Sequence, residues 1–382
     1  MKQSVIILLI SLILVGFLFG IFVGHYEIFP FEILSNIKNF NTEESTPRLQ
    51  IYQDVSTIEN LISIETEDDV KKMRASLIEY IWIDDGFPKD KLPVRHDLDI
   101  YDPISVNLQN LKRIDSFTVE MDSGINSISY LFLANNSNEK LVIFHQGHDS
   151  VSLRGFDDHS FDQDIPLIQH FLDNNYSVLV FSMPGKGMNN EPIIETEEFG
   201  KLRLNSHDHF RLIESDSLHP VKFFIEPVIV ALNQIDYSYS FQSYDMIGIS
   251  GGGWTTIIVS SIEPRIEKSY SVAGSFPIWL RTSLGDYEQH IPEFYKISNY
   301  EELYFLSAFG NNKKLLLIYN EFDSCCFQGD VYNKFPFGDA IKTKLSQFGH
   351  EENFDVVIDY EQKVHTISKN TLKIITEHIK NN

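Results

Sequence analysis

A glycine-rich turn between a predicted strand and a predicted helix constrains this chain most. Residues 244–250, YDMIGIS, are typical of a buried strand, and residues 252–262, GGWTTIIVSSI, favour a helix. The turn between them reads GISGG over 248–252, which is a G-x-S-x-G pattern. The turn is so tight that Gly248 and Gly252 leave no room for side chains, and it projects the Ser250 hydroxyl above the sheet. The pattern therefore predicts an exposed, nucleophilic serine at one edge of a sheet.

The segments around this turn predict an α/β fold. Two alternating segments at 113–121 and 127–134, separated by a DSG turn, predict an antiparallel hairpin. Short apolar strands and helical segments then alternate to the end of the chain, which predicts an open, mostly parallel sheet with helices on both faces. Residues 275–312 are rich in aromatic side chains and too long for an ordinary connection. We expect them to form a lid over the carboxyl ends of the strands.

Candidate partners for the serine follow two later strands. A serine hydroxyl is a weak nucleophile until an imidazole removes its proton and a carboxylate orients that imidazole. After a strand–turn–helix serine, the expected chain order is Ser, then Asp or Glu, then His. Asp323 follows the predicted strand KLLLIYN, and His365 follows the last predicted strand, FDVVIDY. The sequence thus predicts catalytic roles for Ser250, Asp323 and His365, on loops at one edge of the sheet.

Other acidic and imidazole groups compete for these roles. Glu321 lies very close to the end of its strand and Asp359 lies within one, so Glu321 is only the second choice after Asp323. His350 precedes the last strand and is expected at the opposite edge of the sheet. His378 lies well inside the final helix. Neither histidine is expected to reach the serine.

A polar loop at 144–148, FHQGH, follows another predicted buried strand. Acyl transfer creates an oxyanion, which two backbone N–H groups placed in advance can stabilise. We expect the N–H groups of Gly251 and His148 to form this oxyanion hole, with Gly147 allowing the backbone to approach. An ordinary polar turn at the end of a strand is the alternative. No proton-transfer role is assigned to the histidine side chains of this loop.

These features give residues 113–382 a resemblance to the α/β-hydrolase superfamily. The segments GISGGGWTT (248–256) and VAGSFP (272–277) are similar to bacterial hydrolases of the acetyl-xylan-esterase or prolyl-oligopeptidase-like kind. The resemblance implies an eight-stranded sheet and catalysis through an acyl-enzyme. Gln146 departs from the pattern, because it interrupts the usual His-Gly pair of the oxyanion loop. The first 110 residues lie outside the resemblance.

The expected activity is hydrolysis of a small-molecule ester by a serine carboxylesterase or deacetylase. A serine peptidase or an acyltransferase of the same fold is an alternative, and so is a non-catalytic binding module. The chain lacks room for the large N-terminal propeller of prolyl oligopeptidases, which favours an esterase. No cofactor and no metal are expected, since the sequence has no phosphate-loop, HExxH, EF-hand or CxxC motif.

The amino-terminal segment predicts a membrane anchor. Residues 5–24 are uncharged and mostly apolar, and 20 residues of helix span about 30 Å, the thickness of the bilayer's hydrocarbon core. A cleaved signal peptide and a buried helix are the alternatives. We expect a single-pass membrane protein with its catalytic body outside the cytoplasm. The predicted domains are an anchor at 1–24, a stalk and helical extension at 25–112, and a catalytic domain at 113–382.

Charge and cysteine content exclude other classes. Lys and Arg number 31 against 54 Asp and Glu, a formal net charge of −23. Nucleic-acid binding is therefore not expected, because contact with a phosphate backbone needs Lys and Arg to replace counterions. The two cysteines, Cys325 and Cys326, are adjacent in sequence, and the strain of a ring between neighbours predicts two free thiols.

Overall fold

The computed structural model of the chain describes residues 14–16, 55–101, 107–148, 165–196 and 200–380. The chain divides into two compact units, residues 1–50 and residues 51–382. In the first unit, only the short helical stretch 14–16 is described. All strands and all longer helices described below belong to the second unit.

The second unit is built on a mixed sheet of nine described strands. Their order across the sheet is β1-β2-β3-β5-β4-β8-β9-β10-β11. The three pairs β1–β2, β2–β3 and β3–β5 are antiparallel, and the remaining five pairs are parallel. The strands of this sheet are β1 Arg95–Asp97, β2 Leu111–Glu120, β3 Asn126–Ala134, β4 Lys140–His145, β5 Ser177–Phe181, β8 Ser243–Ile249, β9 Ile266–Val272, β10 Lys314–Asn320 and β11 Phe354–Asp359. A separate antiparallel pair joins β6 Ile193–Thr196 to β7 Gly200–Arg203.

The predicted eight-stranded, mostly parallel sheet is thus corrected to a nine-stranded mixed sheet. The additional strand is β1, which pairs with the hairpin formed by β2 and β3. Its three residues lie in a segment rich in Asp and Pro that the sequence predicts as a loop. Alternation over three residues is too short to reveal a strand, so only the pairing with β2 defines it.

Helices cover both faces of the sheet. The helices are α1 Val55–Glu59, α2 Glu67–Trp82, α3 Ile165–Asp173, α4 Lys222–Ser238, α5 Gly251–Ile262, α6 Pro292–Ile297, α7 Tyr300–Ala308, α8 Gly329–Lys334, α9 Gly338–Ser346 and α10 Lys369–Lys380. One apolar core contains residues of α3 and α10, and the other contains residues of α2, α4, α5, α7 and α9. Alternate residues of β4 enter opposite cores, Leu141 and Ile143 in one and Val142 and Phe144 in the other. The strand is apolar throughout because it is buried on both faces.

The predicted membrane anchor is corrected by the structure. Among the residues described, no helix combines the length and the apolar character needed to cross a bilayer. The prediction of a transmembrane helix at 5–24, and with it the single-pass membrane localisation, is wrong on this finding. Apart from residues 14–16, the segment lies outside the described residues.

Helix α2 shows how the segment before residue 112 packs. Its first turn is closed by a capping box in which Thr66 and Asp69 bond to each other's backbone N–H. At its other end, the buried indole N–H of Trp82 donates to Glu226 Oε2 of α4 at 2.8 Å. Val70, Leu77 and Ile81 are also buried, as their helical spacing predicts. The domain boundaries at residues 24 and 112 stay a prediction.

The long connection at 275–312 contains helices α6 and α7 and two short 3-10 turns. Eight of its nine Phe, Tyr and Trp side chains are buried and Phe309 is partly buried, which explains their abundance by core packing. The buried ones are Phe276, Trp279, Tyr287, Phe294, Tyr295, Tyr300, Tyr304 and Phe305. Helix α7 packs against α5, the helix that follows the glycine-rich turn. The role of this segment as a lid stays a prediction.

A carboxyl group is buried in the middle of the sheet. Asp245 of β8 is 3% exposed, and its Oδ1 has no hydrogen-bond partner among the residues described. Burial raises the pKa of Asp245 to about 7. Because an unfolded Asp has a pKa of about 3.9, the folded protein retains a proton here that the unfolded chain releases between these two values.

Asp245 is therefore expected to make the protein less stable as the pH rises from about 4 to about 7. The substitution Asp245→Asn removes this titration. As the pH rises through that interval, the free energy of unfolding of the variant minus that of the wild type should therefore increase by roughly 1.4 kcal/mol per pH unit. Urea denaturation of both proteins at several pH values measures the difference. The exposed Glu352→Gln is the control. A wild-type-to-variant difference that stays constant with pH contradicts the assignment.

Candidate active site

The turn after β8 holds Ser250 in a strained conformation. Its backbone has φ 55° and ψ −127°, in the left-handed half of the map that residues with side chains rarely adopt. A Cβ on Gly248 would lie 2.1 Å from the carbonyl oxygen of Gly252. A Cβ on Gly252 would lie 2.1 Å from the carbonyl oxygen of His145, at the end of the neighbouring strand β4. Both glycines are therefore required sterically, for the reason that the sequence pattern suggests.

Hydrogen bonds fix this turn to the adjoining strands. The Ser250 N–H donates to the carbonyl of Val272, the last residue of β9, at 2.9 Å. Next to it, the Ala273 N–H donates to Ile318 O of β10 at 2.8 Å, and the Glu321 N–H donates to Asp359 O of β11 at 3.0 Å. The ends of β8, β9, β10 and β11 are thus linked in series along one edge of the sheet. The loops after β8, β10 and β11 carry Ser250, Asp323 and His365, as predicted from the chain order.

The structure brings Asp323 and His365 into direct contact. His365 Nδ1 lies 2.8 Å from Asp323 Oδ2 and 3.0 Å from Asp323 Oδ1. Asp323 is fully buried, and the N–H groups of Cys325 and Cys326 donate to its Oδ1 at 2.9 and 3.0 Å. Burial acts to raise the pKa of Asp323, but the hydrogen bonds from His365 and from these N–H groups hold it below its usual value. An ionised carboxylate therefore faces Nδ1, which favours a proton on that nitrogen.

The other ring nitrogen of His365 is left free. His365 Nε2 is buried and makes no hydrogen bond to any described residue. A buried nitrogen without a partner is unfavourable unless it serves a reaction or a ligand. With the proton held on Nδ1 by Asp323, Nε2 presents a lone pair that can accept a proton from a hydroxyl group.

Asn320, which sequence reasoning did not single out, joins the two loops. Its buried Nδ2 lies 3.2 Å from Asp323 Oδ2 and 3.1 Å from the carbonyl oxygens of both Val364 and Thr366. These two residues flank His365. Asn320 therefore fixes the backbone on both sides of the imidazole relative to the carboxylate. An amide at the last position of a strand carries no sequence signal for such a role.

The competing residues have other surroundings. Asp359 is also buried, but its Oδ2 accepts hydrogen bonds from the hydroxyls of Ser368 and Thr371, which tie it to the start of α10. His378 Nδ1 lies 2.9 Å from the hydroxyl of Tyr270 inside the fold. His350 lies just before β11, at the end of that strand opposite to His365. Glu321 is partly exposed. Among the described residues, the hydrogen bonds of His365 Nδ1 go to Asp323 and to none of these four.

The loop 144–148 lies directly against the serine. A Cβ on Gly147 would lie 2.8 Å from Ser250 Cβ, so only glycine allows this approach. Gln146 is buried, and its Oε1 accepts a hydrogen bond from Ser182 Oγ at 2.6 Å. The imidazole of His148 lies on Gly251, since a Cβ on Gly251 would be 2.5 Å from His148 Cε1. The two residues predicted to form the oxyanion hole are therefore neighbours.

The far side of the His148 imidazole contacts two residues that sequence reasoning missed. His148 Nε2 lies 2.9 Å from His207 Nδ1 and 3.1 Å from Glu288 Oε1. Burial acts to lower the pKa of His148, but the carboxylates of Glu288 and Asp286 raise it above its ordinary value. Burial acts to raise the pKa of Glu288, and the imidazoles of His207 and His148 bring it well below its usual range. Glu288 is therefore ionised.

Two groups of side chains have the composition of metal ligands. His148, His207 and Glu288 form one, and Cys325, Cys326 and His365 form the other. In the second group the cysteines are joined in a disulfide, which corrects the prediction of two free thiols. They lie in the turn whose N–H groups both point at Asp323, and this turn brings the two sulfur atoms together. Their thiolates are therefore not available to a metal.

Comparisons with known proteins place the fold. No family model matches the chain, and no curated protein matches it. Methylesterase BT1017 is similar in structure, with 13% identity, a TM-score of 0.52 and coverage of 86% of this chain and 64% of that one. Acetyl xylan esterase 1 from Thermoanaerobacterium sp. JW/SL YS485 has 13% identity and a TM-score of 0.52, covering 85% of this chain and 97% of that one. This chain therefore has the α/β-hydrolase fold, and it spans about two thirds of the methylesterase chain.

The contact at Gly248 makes the turn sensitive to a single methyl group. The substitution Gly248→Ala forces a Cβ against the backbone of Gly252. We expect it to lower the free energy of unfolding by about 1–3 kcal/mol, the usual cost of overpacking. Gly349→Ala is the matched control, because no atom lies within 4 Å of its Cβ position and only its φ of 75° is unfavourable. Thermal denaturation compares the two. A Gly248→Ala protein as stable as the control contradicts the contact.

Proposed function

We propose that this chain is a serine hydrolase that cleaves a carboxylic ester through Ser250, His365 and Asp323. The observation that carries the proposal is the buried, unpartnered Nε2 of His365. The opposite nitrogen is engaged by a buried carboxylate at 2.8 Å, which leaves Nε2 as a base. Ser250 lies on a strained turn at the same edge of the sheet, two strands from the loop of Asp323.

In the proposed reaction the Ser250 oxygen attacks the ester carbonyl carbon, and His365 Nε2 takes the hydroxyl proton. The carbonyl oxygen becomes an oxyanion, stabilised by the N–H groups of Gly251 and His148 and by the N-terminal end of α5. Collapse of this intermediate expels the alcohol, which receives the proton from His365 and leaves an acyl-enzyme. Water then gives a proton to His365 and attacks the acyl carbon, and His365 passes this proton to the Ser250 oxygen as the bond to the acyl group breaks, which releases the acid and restores Ser250. Asp323 keeps the imidazole oriented and stabilises its positive charge throughout.

The names of the similar structures support an ester as the substrate. Both the methylesterase and the acetyl xylan esterase are named for ester cleavage. The first name specifies a methyl ester, and the second specifies acetyl groups on xylan, so we propose an ester with a short acyl or alkyl group. The same three residues could take the acyl group from an amide instead of an ester, as a peptidase does, or pass it to an alcohol instead of water, as an acyltransferase does. Both remain outcomes of the tests.

Activation of Ser250 is the first consequence to test. A fluorophosphonate probe should label the wild-type protein at one serine, because the probe requires a hydroxyl activated by a base. Ser250→Ala should lose the label completely and retain the wild-type circular dichroism spectrum. Mass spectrometry of the labelled peptide identifies the modified residue. A folded wild type that takes up no label favours a non-catalytic binding module.

The substrate class follows from a comparison of leaving groups and acyl chains. p-Nitrophenyl esters of increasing chain length, acetylated and methyl-esterified sugars and a peptide amide cover the alternatives. We expect hydrolysis of short-chain esters and none of the amide. Preferred cleavage of the amide supports a peptidase. A product ester formed with a competing alcohol supports an acyltransferase.

The second consequence concerns Asp323. In Asp323→Asn the amide places an NH₂ group where the carboxylate accepts from Nδ1, so the imidazole loses the orientation and protonation that leave Nε2 free. The expected loss in kcat is about 10⁴-fold, as for comparable changes in other serine hydrolases. Steady-state kinetics with a p-nitrophenyl ester measures it.

Glu321→Gln is the matched control for this substitution. Glu321 lies two residues earlier in the same loop, and it is the alternative carboxylate from the sequence analysis. It should keep the wild-type kcat. If Glu321→Gln loses activity and Asp323→Asn does not, the carboxylate has been assigned to the wrong residue.

A further inference from the structure

We propose that His148, His207, Glu288 and Asp286 bind one divalent cation. The chemistry of these ligands favours zinc, and the bound ion positions the oxyanion loop at 144–148. Two imidazoles and two carboxylates form an N₂O₂ set that suits zinc and neutralises its charge. The ligands come from the loop after β4, from a 3-10 turn at 207–212 and from the 3-10 turn 287–290 with the residue before it. No local sequence motif joins such separate segments. The expectation of no metal rested on the absence of such motifs.

The ligand atoms already converge. His148 Nε2 lies 2.9 Å from His207 Nδ1, 3.1 Å from Glu288 Oε1 and 3.3 Å from Asp286 Oδ2. His207 Nδ1 lies 3.1 Å from Glu288 Oε2. Zinc bonds of about 2.0–2.1 Å in a tetrahedron separate neighbouring ligand atoms by about 3.3 Å. The four contacts lie within about 0.4 Å of this separation.

The neutral imidazoles of His148 and His207 offer too few N–H donors for the acceptors that face them in this cluster. His207 Nε2 lies 3.0 Å from the carbonyl oxygen of Pro184, and a carbonyl only accepts, so Nε2 carries a proton. In a neutral ring, Nδ1 of His207 then presents a lone pair toward Glu288 Oε2 and His148 Nε2. The single proton of His148 Nε2 faces His207 Nδ1, Glu288 and Asp286, all acceptors. A cation at the centre satisfies all of them at once.

The outer contacts are those of a metal ligand. Histidines that bind zinc commonly donate the other ring N–H to a carbonyl or carboxylate, as His207 does to Pro184 O. Glu288 is fully buried, and the contact described for its Oε1 is the one with His148 Nε2 at 3.1 Å, which is not aligned as a hydrogen bond. It is therefore a buried charged oxygen aimed into the cluster that lacks a full partner. Asp286 is about half exposed and opens the cluster toward solvent, which gives an ion a route of entry.

The cluster is directly behind the proposed oxyanion hole. The His148 ring lies between the cluster and Gly251, whose Cβ position is 2.7 Å from His148 Nδ1. A cation that holds Nε2 fixes this ring and, through it, the backbone of the loop beside Ser250. His148, through its side chain, is thus a positioning residue, and the ion does not need to contact the substrate.

Zinc binding by the full chain tests the proposal. The protein, free of affinity tags, is first dialysed against EDTA. Isothermal titration calorimetry then follows the addition of ZnCl₂, and elemental analysis after a second dialysis counts the zinc that stays bound. We expect one zinc per chain and a higher melting temperature on zinc addition. His148→Gln and His207→Gln should weaken binding by more than the 10–100-fold that loss of an outer contact costs. Cobalt(II) should give visible absorption bands in the wild type that both variants lose.

His209→Gln is the matched control. His209 belongs to the same 3-10 turn as His207, but its Nδ1 contacts Arg203 O and it lies outside the cluster. It should bind zinc like the wild type. The partly exposed His148 variant keeps the test valid if the buried His207 variant fails to fold. The proposal is overturned if the folded wild type binds no stoichiometric zinc, or if His148→Gln still binds zinc like the wild type. The contacts between these side chains would then be hydrogen bonds through a proton, with no metal. These readouts do not depend on esterase activity, so the two proposals fail separately.

Discussion

The close approach of three backbone segments at Gly248, Gly252 and His145 determines the geometry of this site. Because no side chain fits between these segments, the chain must turn sharply after β8 and hold Ser250 in an unfavourable conformation. Such strain persists only where the surrounding structure over-determines it. Here the Ser250 N–H is bonded to β9 and helix α5 is buried along its whole length, so the serine has no alternative position. The loops after β10 and β11, which carry Asp323 and His365, are therefore arranged around a serine whose position is fixed.

Much of this arrangement could be predicted from the sequence, because its signals are local. The pattern around Ser250 carries its own steric reason, and the apolar runs of the parallel strands are long enough to recognise. Chain order then restricted the carboxylate and the imidazole to loops at one edge of the sheet. The contact between Asp323 and His365 has that origin, although their separation in sequence is large.

What could not be predicted depends on pairing or on contacts between distant segments. Strand β1 is too short to show alternation and exists only through its pairing with β2. Asn320, His207 and Glu288 occupy positions where their residue types are ordinary, and only the fold brings them to their partners. The disulfide between Cys325 and Cys326 could not be predicted either, because general disulfide geometry argues against pairing of adjacent cysteines.

The three hydrogen bonds of Asn320 have a consequence for recombining this chain with related ones. The Asn320 amide lies more than forty positions before the carbonyls of Val364 and Thr366, to which it donates. The same amide also donates to the Asp323 carboxylate, so all of these groups depend on one another for their positions. A chimaera whose crossover falls between β10 and the start of α10 takes the Asn320 donor from one parent and the carbonyl acceptors from the other. A crossover before β10 or within α10 keeps the donor and both acceptors in one parent's sequence, so it preserves these hydrogen bonds.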